Sequence, residues 1–214
     1  MIGIITAMKE EANLIIEKFN LKQSETLKNI LIYSNKDIIL ILSWIGKIQA
    51  SIWTTFLLQN FPITKLINIG IAGNTLLDKD AKVWDIFLIN KVVQHDVYLP
   101  FDWTHLDYIK APISLNTPKI YFDEFNLFTW TCATGDQFID NPEKIKIIRD
   151  KFKAHVVEME AFAVASVARE FNLLDKTFII KAISDDANEQ AIVDHEKNLD
   201  LAMKNSIKVL EKIL

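Results

Sequence analysis

The chain has 214 residues, 50% hydrophobic and 24% charged, with a formal net charge of -4. That length supplies one sizeable core without calling for a second domain, and the balance is that of a soluble globular protein. The acidic sum and scattered lysines argue against nucleic-acid binding, which needs a basic face, and no apolar run reaches a membrane span. Cys132, the lone cysteine, excludes an internal disulfide and fits a reducing compartment; its apolar surroundings predict a buried, inert thiol. The N-terminus runs into a strand pattern with no cleavable leader, which predicts a cytoplasmic protein.

Residues 2–7 are short and continuously apolar, as a strand buried on both faces should be. Residues 11–19 follow at near-helical spacing, opened by Glu10 and Glu11. A hairpin is predicted from 30–33 and 38–43 around the turn-like Asn35-Lys36-Asp37. Residues 48–58 read as a helix and 65–71 as a buried strand ending in Ala72-Gly73-Asn74, where small residues let a ligand approach the backbone. Residues 85–93 are strand-like. The aromatic-rich stretch 95–123, with Pro100, Pro112 and Pro118, reads as a surface excursion able to cover a site in part, as a lid. Residues 128–133 return to strand, and Asn141-Pro142 caps and opens a helix to Phe152. A buried strand that carries Glu158 and Glu160 at its carboxyl end runs into a small-residue helix from Ala161 to Phe171; a last buried strand at 177–184 precedes a closing amphipathic helix at 195–214. This alternation predicts a single-domain, three-layer α/β fold, a central mixed β-sheet flanked by helices, spanning residues 1–214.

Three acids lie just beyond separate predicted strands: Glu11, Glu160 and Asp185. Glu158 and Glu160, two apart at the carboxyl end of that strand, would share one face; an ordinary acidic helix N-terminus is the plainer alternative. Carboxylates gathered in a partly desolvated cleft push one another's pKa upward, so that one stays protonated as an acid while another serves as base. Splitting a glycosidic bond needs that division of labour. None of His95, His105, His155 and His195 falls at helix-ligand spacing and no calcium loop is present, so no metal is expected. No nucleophile elbow surrounds Ser184 or Cys132, and no glycine-rich phosphate loop precedes a helix.

Five stretches, in order along the chain, resemble one family. Gly3 through Glu11 looks like the opening of the 5′-methylthioadenosine/S-adenosylhomocysteine nucleosidases, within the nucleoside phosphorylase/hydrolase superfamily. Asn68-Ile69-Gly70-Ile71-Ala72-Gly73 is similar to that family's glycine-bearing strand end, and Gly135-Asp136-Gln137-Phe138-Ile139 to its purine-stacking segment. Val157-Glu158-Met159-Glu160-Ala161 resembles the ribose-binding motif, and Ala182-Ile183-Ser184-Asp185 the purine-site motif. The resemblance implies that Glu11 deprotonates the attacking water and that Asp185 protonates purine N7, its second oxygen favouring a 6-amino group. It implies that Glu160 accepts from ribose hydroxyls with Met159 against the sugar and Glu158 nearby. Phe138 and Ile139 would hold the purine, and Met8, Ala72, Gly73 and Ser184 would complete the substrate site. It further implies a homodimer, consistent with the apolar surplus on 48–58, and no cofactor.

Two departures stand out. Ile71 replaces a serine often found at the strand end, and Lys181 stands where arginine is common, so a hydroxyl and a planar fork are lost. Residues 97–103, in a region that shapes the pocket for the 5′ substituent, also leave the family pattern. Hydrolysis of an adenosine-type nucleoside is the leading reading. A phosphate-dependent phosphorylase and a catalytically silent nucleoside-binding protein remain open.

Overall fold

Ten strands and five α-helices alternate along the residues that the computed structural model of the chain describes, which are 1–24, 31–77, 80–101, 109, 111–116 and 128–214. In chain order they are β1 (Ile2–Thr6), α1 (Lys9–Lys18), β2 (Lys22–Gln23), β3 (Ile32–Ser34), β4 (Ile38–Leu42), α2 (Lys47–Asn60), β5 (Lys65–Asn74), β6 (Ile86–Gln94) and β7 (Ile113–Ser114). There follow β8 (Phe128–Thr134), α3 (Pro142–Phe152), β9 (Val156–Glu158), α4 (Ala161–Glu170), β10 (Thr177–Asp185) and α5 (Ala191–Ile213).

All ten strands belong to one mixed sheet, with β1 parallel to β4 and β5, and β3–β4 the antiparallel hairpin that the sequence predicts. The Asn35 amide oxygen closes the hairpin turn by accepting from the Asp37 and Ile38 N–H groups at 2.9 and 2.8 Å. Helices cover both faces, as expected. Alternation along β1 sends Ile4 towards Ala12 and Ile15 of α1 and Met203 and Leu210 of α5, whereas Ile5 packs with Ala50 and Leu57 of α2 and Val164 of α4.

The sheet is not the open one that the sequence suggests. β10 pairs with both β5 and β6, and β9 with both β8 and β5, so β5, β10, β6, β8 and β9 close into a ring. Closure needs β5 to run to Asn74, three residues past its predicted end, where Gly73 and Asn74 face Val157 and Val156. Small residues at 72 and 73 permit that pairing, but the partner strand is some eighty residues away and leaves no local signal.

Other differences have similar causes. α5 begins at Ala191 rather than 195, because Ile192 and Val193 of its first turn point to solvent and hide the apolar period. β2 is an exposed edge pair with no apolar pattern. Part of the predicted excursion is core: Ile113 and Leu115 are buried against β6 and α4 neighbours. Residues 102–108, 110 and 117–127, and hence His105, Pro118 and most of the expected lid, lie outside the described residues, as does Ile30. Cys132 is free and fully buried, and burial pushes its thiol well above the ordinary range.

α3 starts as its sequence requires. Pro142 occupies the first turn, and the Asn141 amide oxygen accepts from the Glu143 and Lys144 N–H groups at 2.9 and 3.1 Å. Asn141→Ala should therefore lower unfolding stability by about 1 kcal/mol, read as a reduced urea midpoint at unchanged slope. An unchanged midpoint would show that the cap carries no energy.

Candidate active site

Glu11 is fixed by the turn between β1 and α1. Its Oε2 accepts from the Thr6 hydroxyl at 2.8 Å and from the Ala7 and Met8 N–H groups at 3.1 and 3.0 Å, while Oε1 accepts the Ile71 N–H at 3.1 Å. The Met8 bond is the reciprocal half of a capping box, so a helix-start rule and a site residue share one side chain. Oε2 is saturated by three donors; Oε1 has one, and keeps acceptor capacity for a further proton. A Cβ at Gly70 would stand 2.7 Å from Oε1, so any larger residue there would push this carboxylate out of place.

Glu158 ends β9, and Glu160 is the N-cap of α4 with non-strand dihedrals. The expected i, i+2 strand face is thus incorrect, since the strand stops between them. A buried cation joins them instead. Lys181 of β10 places Nζ 2.7 Å from Glu158 Oε2 and 3.9 Å from Glu160 Oε2. Glu158 also accepts from the Thr134 hydroxyl at 2.5 Å and from the Glu160 and Ala161 N–H groups at 2.9 and 2.8 Å. Glu160 has one further donor, the Gly46 N–H at the start of α2, at 2.9 Å.

Asp185 is the last residue of β10. The Ser184 hydroxyl donates to its Oδ2 at 2.7 Å, the Ala187 N–H to its Oδ1 at 2.9 Å, and His195 Nδ1 lies 3.9 Å from Oδ2. The His195 ring meets Phe138 edge to face at 5.7 Å.

These groups line one cleft. Glu11, Asp185, Glu160, Met159, Glu158, Phe138, Ile139, Ser184, Met8, Ala72 and Gly73 all face it. So do residues not singled out from sequence as site residues: Ala7, Ile45, Gln137, Val157 and His195, together with Ile71. Gln137 stood inside a quoted motif and could have been taken with it. The sequence places His195 at the start of the closing helix; it lies in the first half of α5, which begins at Ala191, and lines the cleft beside Asp185.

The family model described as the phosphorylase superfamily matches residues 1–214. The chain belongs to the phosphorylase superfamily. Among superfamily relatives, the aminodeoxyfutalosine nucleosidase of Helicobacter pylori strain J99 is 33% identical over 228 residues, covering 100% of this chain and 97% of the relative. The 5′-methylthioadenosine/S-adenosylhomocysteine nucleosidase of Bacillus licheniformis is 31% identical with the same coverage. Among solved structures, futalosine hydrolase of Helicobacter pylori strain 26695 superposes with a TM-score of 0.87 at 30% identity, over 99% of this chain and 96% of that one. The 5′-methylthioadenosine/S-adenosylhomocysteine nucleosidase of Neisseria meningitidis, in complex with methylthio-immucillin-A, gives 0.87 at 28% identity over 99% and 97%.

The electrostatics of this superfamily cleft follow from one cation serving two carboxylates. Burial favours neutral Glu158, but the Lys181 ammonium, the Thr134 hydroxyl and the Glu160 N–H outweigh it and hold that carboxyl below its usual range. Burial alone would strip Lys181 of its proton; Glu158 and Glu160 reverse this and raise it. Glu160, farther from the ammonium, is pushed up to about 8 by burial, with the Glu158 charge adding to the rise and Lys181 opposing it. Protonating Glu160 leaves a neutral buried trio, which a low-dielectric site favours. Asp185 is also raised by burial, against the bonds from Ser184 and Ala187 and the nearby His195.

Between pH 4.5 and about 8 folded Glu160 holds a proton that the unfolded chain has lost. Its contribution to stability is complete below 4.5 and disappears as pH rises through 8. Glu160→Gln should remove that decline, so that the difference in urea midpoint between variant and wild type changes with pH across this window. Parallel pH profiles would contradict the assignment.

Proposed function

We propose that this chain hydrolyses the N-glycosidic bond of a 5′-modified adenosine-type nucleoside and releases adenine. The observation that carries the reading is the convergence of Glu11, Glu160 and Asp185, from α1, α4 and β10, on one cleft with three different hydrogen-bond environments. Glu11 Oε1, the oxygen with spare capacity, takes a proton from a water lying beneath the sugar. Glu160 binds the ribose hydroxyls, with Met159 beside it and Glu158 behind. Asp185, its proton affinity raised by burial, donates to purine N7. The water oxygen bonds to C1′ as the C1′–N9 bond breaks; one proton passes to Glu11 and another from Asp185 to the base, so adenine leaves neutral. Phe138, 43% exposed at the cleft, supplies a face on which the purine stacks, and Ile139, Met8, Ala72, Gly73 and Ser184 close the site around it.

Water rather than phosphate fits the charges. Lys181 is buried behind the cleft's carboxyls and is already committed to two of them, Glu158 and Glu160. Of the two arginines, Arg149 bonds the Thr75 carbonyl and Asp150, and Arg169 pairs with Glu170; neither lines the cleft. A bound phosphate would face acids without a free guanidinium.

The names of the relatives make 5′-methylthioadenosine, S-adenosylhomocysteine and aminodeoxyfutalosine the first substrates to assay. The reading includes a homodimer formed through the outer face of α2 and the turn before it, where Trp44, Ile45, Ile48 and Ile52 are exposed, with Ile45 at the cleft. It also places the protein in the cytoplasm; among the described residues no helix is long and apolar enough to cross a membrane.

Adenine release from these nucleosides should proceed without phosphate, and absolute dependence on phosphate would defeat the proposal. Asp185→Asn should lower kcat by about 10²-fold or more while nucleoside still binds. Full turnover in that variant would remove Asp185 from the mechanism.

A further inference from the structure

A second ionic cluster lies behind the purine wall and takes no part in the chemistry. Lys47, the first residue of α2, extends Nζ to Asp96 Oδ1 at 2.6 Å, Gln94 Oε1 at 3.3 Å and Asp136 Oδ2 at 3.8 Å. Its own N–H donates to Asp136 Oδ1 at 2.8 Å, and the Asp136 N–H donates to Asp96 Oδ2 at 2.8 Å. Three segments distant in sequence are thereby closed into one unit: the start of α2, the end of β6, and the turn after β8.

That unit touches both halves of the proposed substrate site. The turn after β8 goes directly from Asp136 to Phe138 and Ile139. The residue before Lys47, Gly46, donates its N–H to Glu160 Oε1 at 2.9 Å. Gly46 has φ +102°, and a Cβ there would stand 3.1 Å from Asp136 Oδ1, so the backbone can present these two N–H groups to two acids only as glycine. Consecutive N–H groups of one helix terminus thus hold the ribose-binding carboxyl of Glu160 and the purine turn, and the helix dipole favours the Asp136 anion.

We propose that Lys47 is a positioning residue: its ammonium, shared by Asp96 and Asp136, fixes the 135–139 turn to the α2 N-terminus and so sets the spacing between the purine platform and Glu160. This rests on the nucleoside-hydrolase reading above. The side chains of Lys47 and Asp96 are only 17% and 13% exposed, so their attraction is less screened than that of a surface pair. Removing the ammonium leaves two adjacent carboxylates repelling each other, joined by a single N–H bond. The turn then relaxes outward, carrying Phe138 with it.

The test is adenine release against nucleoside concentration for wild type, K47M, K47R and K204M, with melting temperatures measured in parallel. Lys204 loses a comparable ion pair, with Asp200, on the exposed surface of α5 and serves as control. K47M should raise KM by about tenfold with kcat changed by less than about threefold, because uniform binding is what a misplaced platform loses. K47R should recover most of that loss, and K204M should match wild type. An unchanged KM in K47M, or the same change in K204M, would overturn the proposal. If wild type releases no adenine, the hydrolase reading fails by itself. The positioning claim is then decided by equilibrium binding of adenine, which K47M should weaken and which equal affinities would refute.

Discussion

The ion pair between Lys181 and Glu158, 2.7 Å long and sealed from solvent, is the constraint around which the cleft is arranged. A buried pair of this kind costs several kcal/mol in desolvation per ion and is a poor source of stability. Its consequence is chemical. One ammonium cannot neutralise two carboxylates equally, so Glu158 keeps the charge and Glu160, 3.9 Å away, keeps a proton up to about pH 8.

Strand closure makes the arrangement possible. Lys181 lies on β10 and Glu158 on β9, strands that are not neighbours but both pair with β5. The ring brings their side chains into contact and leaves the carboxyl ends of β1, β5 and β10 opening on the same space. Glu11 is attached to this ring from the other side, through the Ile71 N–H of β5. Hydrogen bonds that cap helices elsewhere in proteins here position acids: Glu11 at the start of α1, Glu158 at the start of α4, and Asp136 at the start of α2.

Much of this was legible in the residues. Short continuous apolar runs marked the central strands, near-helical apolar spacing marked helices, and Asn141-Pro142 announced the start of α3. The positions of Glu11, Glu160 and Asp185 beyond separate strands were visible because each follows an apolar run; that they face one cleft required the tertiary structure. What stayed hidden was non-local or unpatterned. The pairing of β5 with β9 is carried by Gly73 and Val157, which have no distinctive local sequence. The first turn of α5 exposes its apolar residues, and nothing local to His195 marked it as a cleft residue. Lys47, Asp96 and Asp136 are ordinary charged residues until the fold brings them together. The two acids of the Glu158-Met159-Glu160 stretch were correctly grouped for an incorrect reason: a lysine links them, not a common strand face.

The central claim is that Glu160 rests as a neutral acid because Lys181 is committed to Glu158. Infrared difference spectroscopy of the free protein, at a pH between 4.5 and 8, tests it most directly. The account predicts the carbonyl stretch of a protonated, buried carboxyl that disappears in Glu160→Gln. It predicts the same loss in Glu158→Gln, where the freed ammonium ionises Glu160 instead. A wild-type spectrum without that band, or a band untouched by either substitution, would contradict it.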